Sequence, residues 1–309
     1  MVNFSKFKYI SLSSSILIIL LGFIITFAIN KGFAHSLDFN GGLRTVIEAP
    51  SDKQRESIQK FFTDEGIDSV IILLDKEKNH YQIDVGLDAE KKIINYNLKA
   101  SGGAERNNKP IIEEYITMLK NGLNLTDESI LSADQVGAIV GKELTSTGIS
   151  LLLYTLFIMA IYLSFRFEFK FALGASAALI HDLLISLAFM GAFQIKPSVP
   201  IIAALLTILG YSINDTIVIF DRIRENLSGK VERSFSEVIN ISINQTLGRT
   251  INTSVATLIS VLAIVIGGAV ELYDFAYVLI FGVVIGTYSS IFIAAPIIEI
   301  YEGFFPKKA

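Results

Sequence analysis

Six long apolar stretches punctuate the chain, at roughly residues 10–29, 144–163, 171–192, 200–221, 249–268 and 275–298. Each holds about 18 or more mostly apolar residues, the length at which a helix can cross a hydrocarbon layer. The pattern predicts an α-helical membrane protein with six spans. Between the first and second stretches, over residues 31–143, the pattern changes to short alternating runs separated by polar turns.

Those runs predict a small extracytoplasmic α/β domain. "LRTVIEAP" reads as a strand from Leu43 to Glu48, stopped by Pro50. Ser51 with Gln54 three residues on forms a capping box for a following helix. Ile58, Phe61 and Phe62 supply the apolar face of that helix, and Gly66 ends it. "SVIILL" and "YQIDVGL" are strands around the polar turn "DKEKNH". "KPIIEEYITMLKNG" reads as a helix between Pro110 and Gly122, and "SILSADQVGAIVG" supplies a last strand. The order βαββαβ is the split arrangement of ferredoxin-like domains. Residues 88–109 read as a polar, partly flexible link.

The expected organisation is a first span (1–30), the extracytoplasmic domain (31–143), spans two to six (144–301) and a tail (302–309). A cytoplasmic amphipathic helix is expected at about 222–247. Within it, Val231, Phe235, Val238, Ile239, Ile243 and Leu247 recur at helical spacing, which suits a helix lying on the membrane surface or packing on a partner.

Composition narrows the class. Hydrophobic residues make up 51% of the 309, and the mean hydropathy of +0.54 is rarely reached by soluble domains. There is no cysteine, so neither disulfides nor thiol chemistry is available. The histidines, His35, His80 and His181, are too scattered for a metal site. No GxxxxGK[ST] loop and no hydrolase motif occurs, so no enzyme activity, metal or cofactor is expected. The first apolar run is longer than the core of a secretory leader, and it is read as a retained anchor.

Basic residues set the orientation. With the N-terminus inside, the inner segments hold Lys6, Lys8, Arg166, Lys170, Arg222, Arg224, Lys230, Arg233, Arg249, Lys307 and Lys308, and the outer short loops hold only Lys196. Both termini are therefore expected in the cytoplasm. Residues 31–143 carry 14 Lys and Arg against 19 Asp and Glu, a net charge of −5. An acidic outer domain excludes a nucleic-acid role.

The fourth stretch carries the candidate chemistry. "GYSINDTIVIFDRIREN" places Asn214 and Asp215 inside a span, with Asp215 roughly 22 Å along a straight helix from Pro200. A charge there costs about 2.5–3.5 kcal/mol on insertion scales, so it faces protein or water. Tyr211, Ser212, Asp215 and Thr216 share one face by spacing. The fifth span begins at Arg249, whose face continues through Thr253, Thr257 and Ser260. Asp215 and Arg249 can therefore meet. Burial opposes ionisation of a carboxylate and a nearby guanidinium favours it, so moving the arginine away would load a proton. The alternative is a static pair that only fixes helix packing. Asp182, next to His181 in the third span, is either a relay or a structural hydrogen-bonding group. Gly282 and Gly286 form a GxxxG close-packing motif, and Asp221, Arg222, Arg224 and Glu225 read as an interfacial charge cluster.

Four motifs resemble the SecF family, the smaller half of the bacterial SecDF protein-export accessory, within the resistance–nodulation–division superfamily. "LDFNGG" resembles the family's DFxGG and contains Asp38, Phe39, Gly41 and Gly42. "QVGAIVGKEL", with Gly137 and Gly141, resembles VGPxVGxEL, with Ala138 where the family usually has proline. "GYSINDTIVIFDRIREN" and "NQTLGRTINTS" resemble the family's fourth- and fifth-span motifs. The resemblance implies pairing with SecD, docking on the SecYEG channel, contact with membrane lipid and a translocating polypeptide, and late-stage translocation driven by the proton motive force, or by sodium in some bacteria. It implies ion coupling by Asp215 and Arg249, with Tyr211, Asn214, Thr253 and Asp182 as supporting candidates. The rival readings are an ion-coupled exporter of small solutes or lipids from the same superfamily, and a sensor or assembly subunit. Such exporters usually join two six-span halves, and this chain has the pattern of one.

Overall fold

The computed structural model describes residues 2–34, 36–50, 55–100, 109–228 and 233–305. In chain order the elements are α1 (Lys8–Ile24), α2 (Leu37–Asn40), β1 (Gly42–Glu48), α3 (Arg55–Asp64), β2 (Ser69–Asp75), β3 (His80–Gly86), α4 (Glu90–Ala100), α5 (Ile111–Leu123) and β4 (Ile130–Val136). The long helices follow: α6 (Ala138–Arg166), α7 (Phe169–Ala192), α8 (Val199–Leu227), α9 (Phe235–Ile266), α10 (Tyr273–Ser289) and α11 (Ala295–Phe304). Wider π-helical turns extend α1 over Ile25–Ile29 and join α10 to α11 over Ser290–Ala294. Among the described residues, six helical segments are long and apolar enough to cross a membrane, and they coincide with the six apolar stretches. Two compact units result, Met1–Ala34 with Gly148–Ala309, and His35–Thr147. The boundaries fall four residues later than the sequence pattern placed them at both ends.

The smaller unit is an antiparallel four-stranded sheet in the order β2-β3-β1-β4, which is the expected split βαβ arrangement. Leu43, Thr45 and Ile47 of β1 stand opposite Val85, Ile83 and Tyr81 of β3, and this face carries the helices. Its core is Ile58 and Phe62 of α3 with Tyr115, Met118 and Leu119 of α5, all fully buried. Gly66, at φ +67°, ends α3 as expected. In the β2–β3 turn, Asp75 Oδ1 accepts from the backbone N–H of Glu77 (2.8 Å) and Lys78 (3.1 Å). The Lys78 amide leads in holding the Asp75 carboxyl below the usual carboxylate range.

Two expectations for this unit change. Residues 88–109 are not a plain link: a short turn over Leu87–Ala89 leads into α4, whose Ile93 is fully buried and whose Tyr96 meets Phe61 edge-on at 5.8 Å. Its polar composition concealed one apolar stripe. Gly122 does not stop α5. It lies inside the helix, where a Cβ would strike the Phe61 ring, and the stop is Asn124 in the left-handed conformation at φ 55°. The Ser51–Gln54 capping box lies outside the described residues, as do 101–108 of the link.

In the larger unit α8 is central, packed by α7, α9 and α10. Phe171 and Phe220 meet at 5.1 Å in one core, and Ile201, Ala204, Leu205 and Ile208 of α8 join Ala276 and Val278 of α10 in another. The separate amphipathic helix at 222–247 is corrected. Residues 222–227 finish α8, and α9 runs unbroken from Phe235 into the fifth span. Ser234 and Glu237 cap it reciprocally, Oγ accepting from the Glu237 amide at 3.3 Å and the carboxylate from the Ser234 amide at 2.9 Å. Val238, Ile239 and Ile243 are buried in the core with Phe220 and Ile223, so the apolar stripe faces the chain's own bundle and is not left for a membrane surface. The polar side is also used. Asn244 pairs with the Val2 backbone in both directions (3.0 and 2.8 Å), and Asn240 accepts from the Ser5 amide at 3.1 Å.

Candidate ion-coupling site

A polar layer runs through the interior of the larger unit, and α8 supplies both of its sides. Asp215 is 2% exposed, and its Oδ2 is buried with no hydrogen-bond partner. The charge that acts on this carboxyl is Arg249, from the packed helix α9. Asp215 and Arg249 do not close an ion pair within 4.0 Å, and the arginine is exposed on the α9 surface. Thr253 Oγ1 donates back to the carbonyls of Arg249 (3.1 Å) and Thr250 (2.9 Å), while Thr250 Oγ1 is buried without a partner. Two unpartnered buried oxygens therefore lie in the α8 and α9 segments that face each other, an arrangement able to accept a proton or an ordered water.

The face predicted for α8 splits in two. Tyr211 donates to Ser254 Oγ of α9 at 3.0 Å, and Ser254 Oγ lies 2.6 Å from Thr287 Oγ1 of α10. Ser212 turns the other way, donating to Asp182 Oδ2 of α7 at 2.5 Å. Ser289 of α10 donates to the same oxygen at 2.7 Å, and His181 Nδ1 lies 2.9 Å from Asp182 Oδ1. Asp182 is fully buried. The role of Ser289 was not legible, because a serine near the end of an apolar stretch has no spacing relation to Asp182 in another span.

Asn214 does not join this layer. It is exposed on the outer side of α8 and has no hydrogen-bond partner among the described residues. A Cβ at the neighbouring Gly210 would meet nothing within 4 Å. Gly282 and Gly286 face inward: a Cβ at Gly282 would strike the Ile208 side chain, and one at Gly286 would lie 3.1 Å from Ser212 Cβ. The GxxxG motif thus closes α10 onto α8 within this chain.

The glycine motifs of the smaller unit meet each other. Gly41 (φ +76°) and Gly42 (φ +156°) turn α2 into β1, where a Cβ at Gly42 would strike the Val85 carbonyl. Asp38 Oδ1 lies 3.9 Å from Arg44 Nη1, and Arg44 Nε is 3.0 Å from the buried Asp84. Gly141, in the first turn of α6, lies against the backbone of Phe39. A Cβ at Gly137 would meet nothing within 4 Å. Ala138 is the first residue of α6, a position that also tolerates proline.

The family profile described as protein export membrane protein SecD/SecF, C-terminal, matches residues 116–303. The chain belongs to the SecD/SecF protein-export family. It is 35% identical to the protein translocase subunit SecF of Rickettsia typhi over 303 residues, 97% of this chain and 92% of the relative. The SecF subunit of Rickettsia bellii is 35% identical over 301 residues, with 97% and 93% covered. The crystal structure of SecDF, a translocon-associated membrane protein from Thermus thermophilus, superposes with a TM-score of 0.76 at 31% identity. A second SecDF structure, in a super-membrane-facing form, superposes at 0.63 and 28% identity. The match to SecDF covers 98% of this chain and 39% of that one, so the chain spans well under half of the SecDF polypeptide. SecD/SecF membership makes it a multi-pass membrane protein related to translocase subunits, and the polar layer lies inside the region matched by the family profile.

Proposed function

We propose that this chain is the SecF-type half of a SecDF-like complex, which pairs with SecD, docks on the SecYEG channel and uses the proton motive force to complete polypeptide translocation. It does so without enzyme chemistry of its own. Both termini lie in the cytoplasm, and the sheet domain lies outside, where the polypeptide emerges. One observation carries the mechanism: the nearly inaccessible Asp215 carboxyl has an unpartnered oxygen and an arginine on the adjacent helix that is near but not closed upon it.

Such a group has two accessible states. Ionised, it is favoured by Arg249. Protonated, it is favoured by the low dielectric around it. A small relative movement of α8 and α9 changes the balance, and proton uptake or release at Asp215 biases that movement in return. If water reaches the site from opposite sides in the two arrangements, the ion gradient drives a cycle. Tyr211, bonded to Ser254 of α9, holds the facing segments in register.

The partner surface follows from polarity. Asn214 and Arg249 are exposed within segments apolar enough to span a membrane, and lipid cannot satisfy them. SecD packed over the α8–α9 face would cover both. Export measured in proteoliposomes with and without an imposed pH gradient tests the reading. Asp215→Asn keeps the shape but cannot cycle a charge. It should assemble normally, keep ATP-driven translocation and lose the gradient-dependent part. Full stimulation at wild-type protein level would refute the coupling role, and stimulation by a sodium gradient would reassign the ion.

A further inference from the structure

The second carboxylate of the polar layer, Asp182, is enclosed more completely than Asp215 and has a different set of partners. Oδ1 meets His181 Nδ1 at 2.9 Å, and Oδ2 accepts from Ser212 and Ser289. Among the described residues no lysine or arginine pairs with it, and His181 is its only ionic neighbour. Several charged and titratable groups on the helices packed against α7 are engaged elsewhere. Lys8 of α1 is paired with Glu299 of α11 at 3.0 Å, and Lys170 of α7 with Glu302 of α11 at 2.7 Å. Asp221 of α8 is paired with Arg166 at 3.0 Å. Tyr288 of α10 has its ring 6.2 Å from His181, and its hydroxyl is engaged by Ser15 Oγ and the Ser11 carbonyl of α1. Asp215 stands one helical turn beyond Ser212 on α8.

An ionised Asp182 beside a neutral imidazole would be a lone charge in these surroundings, which is costly, so charge neutrality of the pair needs one proton beyond the N–H of the neutral ring. It resides on the carboxyl oxygen or on the imidazole. In either case His181 Nε2 is buried and has no hydrogen-bond partner, while Nδ1 is occupied by Asp182. Whichever species forms, one polar ring atom is left open in the interior. A static hydrogen-bonding post would be expected to satisfy that atom. An open imidazole nitrogen beside a carboxyl is instead suited to a relay, in which a proton bound at Nε2 lets the Nδ1 proton pass to Oδ1 of the carboxyl.

Ser212 makes the connection to Asp215. Its hydroxyl is committed to Asp182, and its carbonyl accepts from Thr216 Oγ1 at 3.1 Å. Gly286 brings α10 within contact of Ser212. Movement of the α8 turn that carries Asp215 therefore also changes the hydrogen bond on Asp182. We infer that His181 and Asp182 form a second proton-holding site, coupled to Asp215 through the Ser212 turn of α8. Only O–H and N–H bonds are made and broken: a proton from water is added at Nε2 or at the carboxylate and is later returned to water. The coupling rests on the reading of Asp215 as the ion-responsive group, whereas the site itself does not.

Infrared difference spectra across pH steps test the inference on the full chain in lipid vesicles, with and without SecD. They read the carbonyl stretch of protonated carboxyl groups. Above the pH range in which the exposed carboxylates titrate, the wild type should show two titrating carboxyl bands. Asp182→Asn should remove one, which persists in Asp215→Asn. His181→Gln should shift the midpoint of that band. Ser212→Ala should move its frequency, because a hydrogen bond is lost, and should displace the midpoint of the other band. If Asp182→Asn does not accumulate, Ser289→Ala supplies the same frequency readout. Spectra of Asp182→Asn identical to wild type, or no band displaced in both Ser212→Ala and Ser289→Ala, would overturn the second site. Two bands that titrate independently in Ser212→Ala and wild type alike would overturn the coupling. Loss of the Asp182 band with no band assignable to Asp215 would refute the Asp215 reading and leave the His181–Asp182 site standing.

Discussion

Gly141 lies against Phe39: a Cβ added to the glycine would be 2.5 Å from the Phe39 carbonyl oxygen and 2.7 Å from its carbon. Two motifs separated by about a hundred residues are thereby in backbone contact, at the points where the chain enters and leaves the smaller unit. Their glycines allow the entering turn and the first turn of α6 to approach closely.

Gly141→Ala should therefore destabilise the smaller unit by about 1–3 kcal/mol, the range for overpacking against an atom that cannot move aside. Gly137→Ala, where a Cβ meets nothing, should stay within about 0.5 kcal/mol of wild type. Amide exchange protection in β1 and β4 measures both. Equal effects would show that the contact does not constrain this junction.

Arg249→Met removes the cation that favours the ionised form of Asp215 and should lose gradient-driven export while keeping ATP-driven translocation. Arg249→Lys keeps the charge on a shorter reach and should retain part of the stimulation. If both variants behave as wild type in proteoliposomes, Arg249 does not act on Asp215 during the cycle.

The absence of cysteine makes crosslinking to SecD clean. Single cysteines at Asn214 and Gly210 should crosslink to SecD in membranes holding both proteins. Cysteines at Gly282 and Gly286 should not, because those sites are closed by Ile208 and Ser212 of the same chain. The reverse pattern would move the partner surface to α10.

Tyr115 is fully buried, and its hydroxyl has no hydrogen-bond partner among the described residues. Burial first, then the Asp84 charge, pushes its ionisation well above the usual tyrosine value. The unfolded chain releases this proton near pH ~10, and the folded chain does not. Stability is therefore full below that pH and declines as pH rises past it. Tyr115→Phe should remove the decline and, by deleting an unpartnered hydroxyl, raise stability at neutral pH by about 1 kcal/mol. Amide exchange in α5 measured across that range checks both parts, and an unchanged alkaline slope in Tyr115→Phe contradicts the assignment.

Topology reporters fused after Lys170, Gly229 and Lys308 should read cytoplasmic, and those at Lys196 or within residues 88–109 should read extracytoplasmic. The expectation rests on the basic residues of the short loops. A cytoplasmic reading within 88–109 would invert the orientation and with it the direction of coupling.

The sequence by itself determined the elements whose cause is local or periodic. Six spans followed from uninterrupted apolar length, and the βαββαβ order followed from alternation and turn residues. Asp215 stood out because a carboxylate in an apolar run is expensive wherever it lands. Only the tertiary structure decided which groups serve which neighbour. Spacing put Tyr211, Ser212 and Asp215 on one face, yet packing between α7 and α9 directs Ser212 to Asp182 and Tyr211 to Ser254. The stripe from Phe235 to Leu247 suited a membrane surface equally well, and it is the bundle core that occupies it. Gly282 and Gly286 likewise announced close packing without naming the helix. Periodicity along one helix records which residues share a side, whereas the partner across that side is set by long-range contacts that no local spacing encodes.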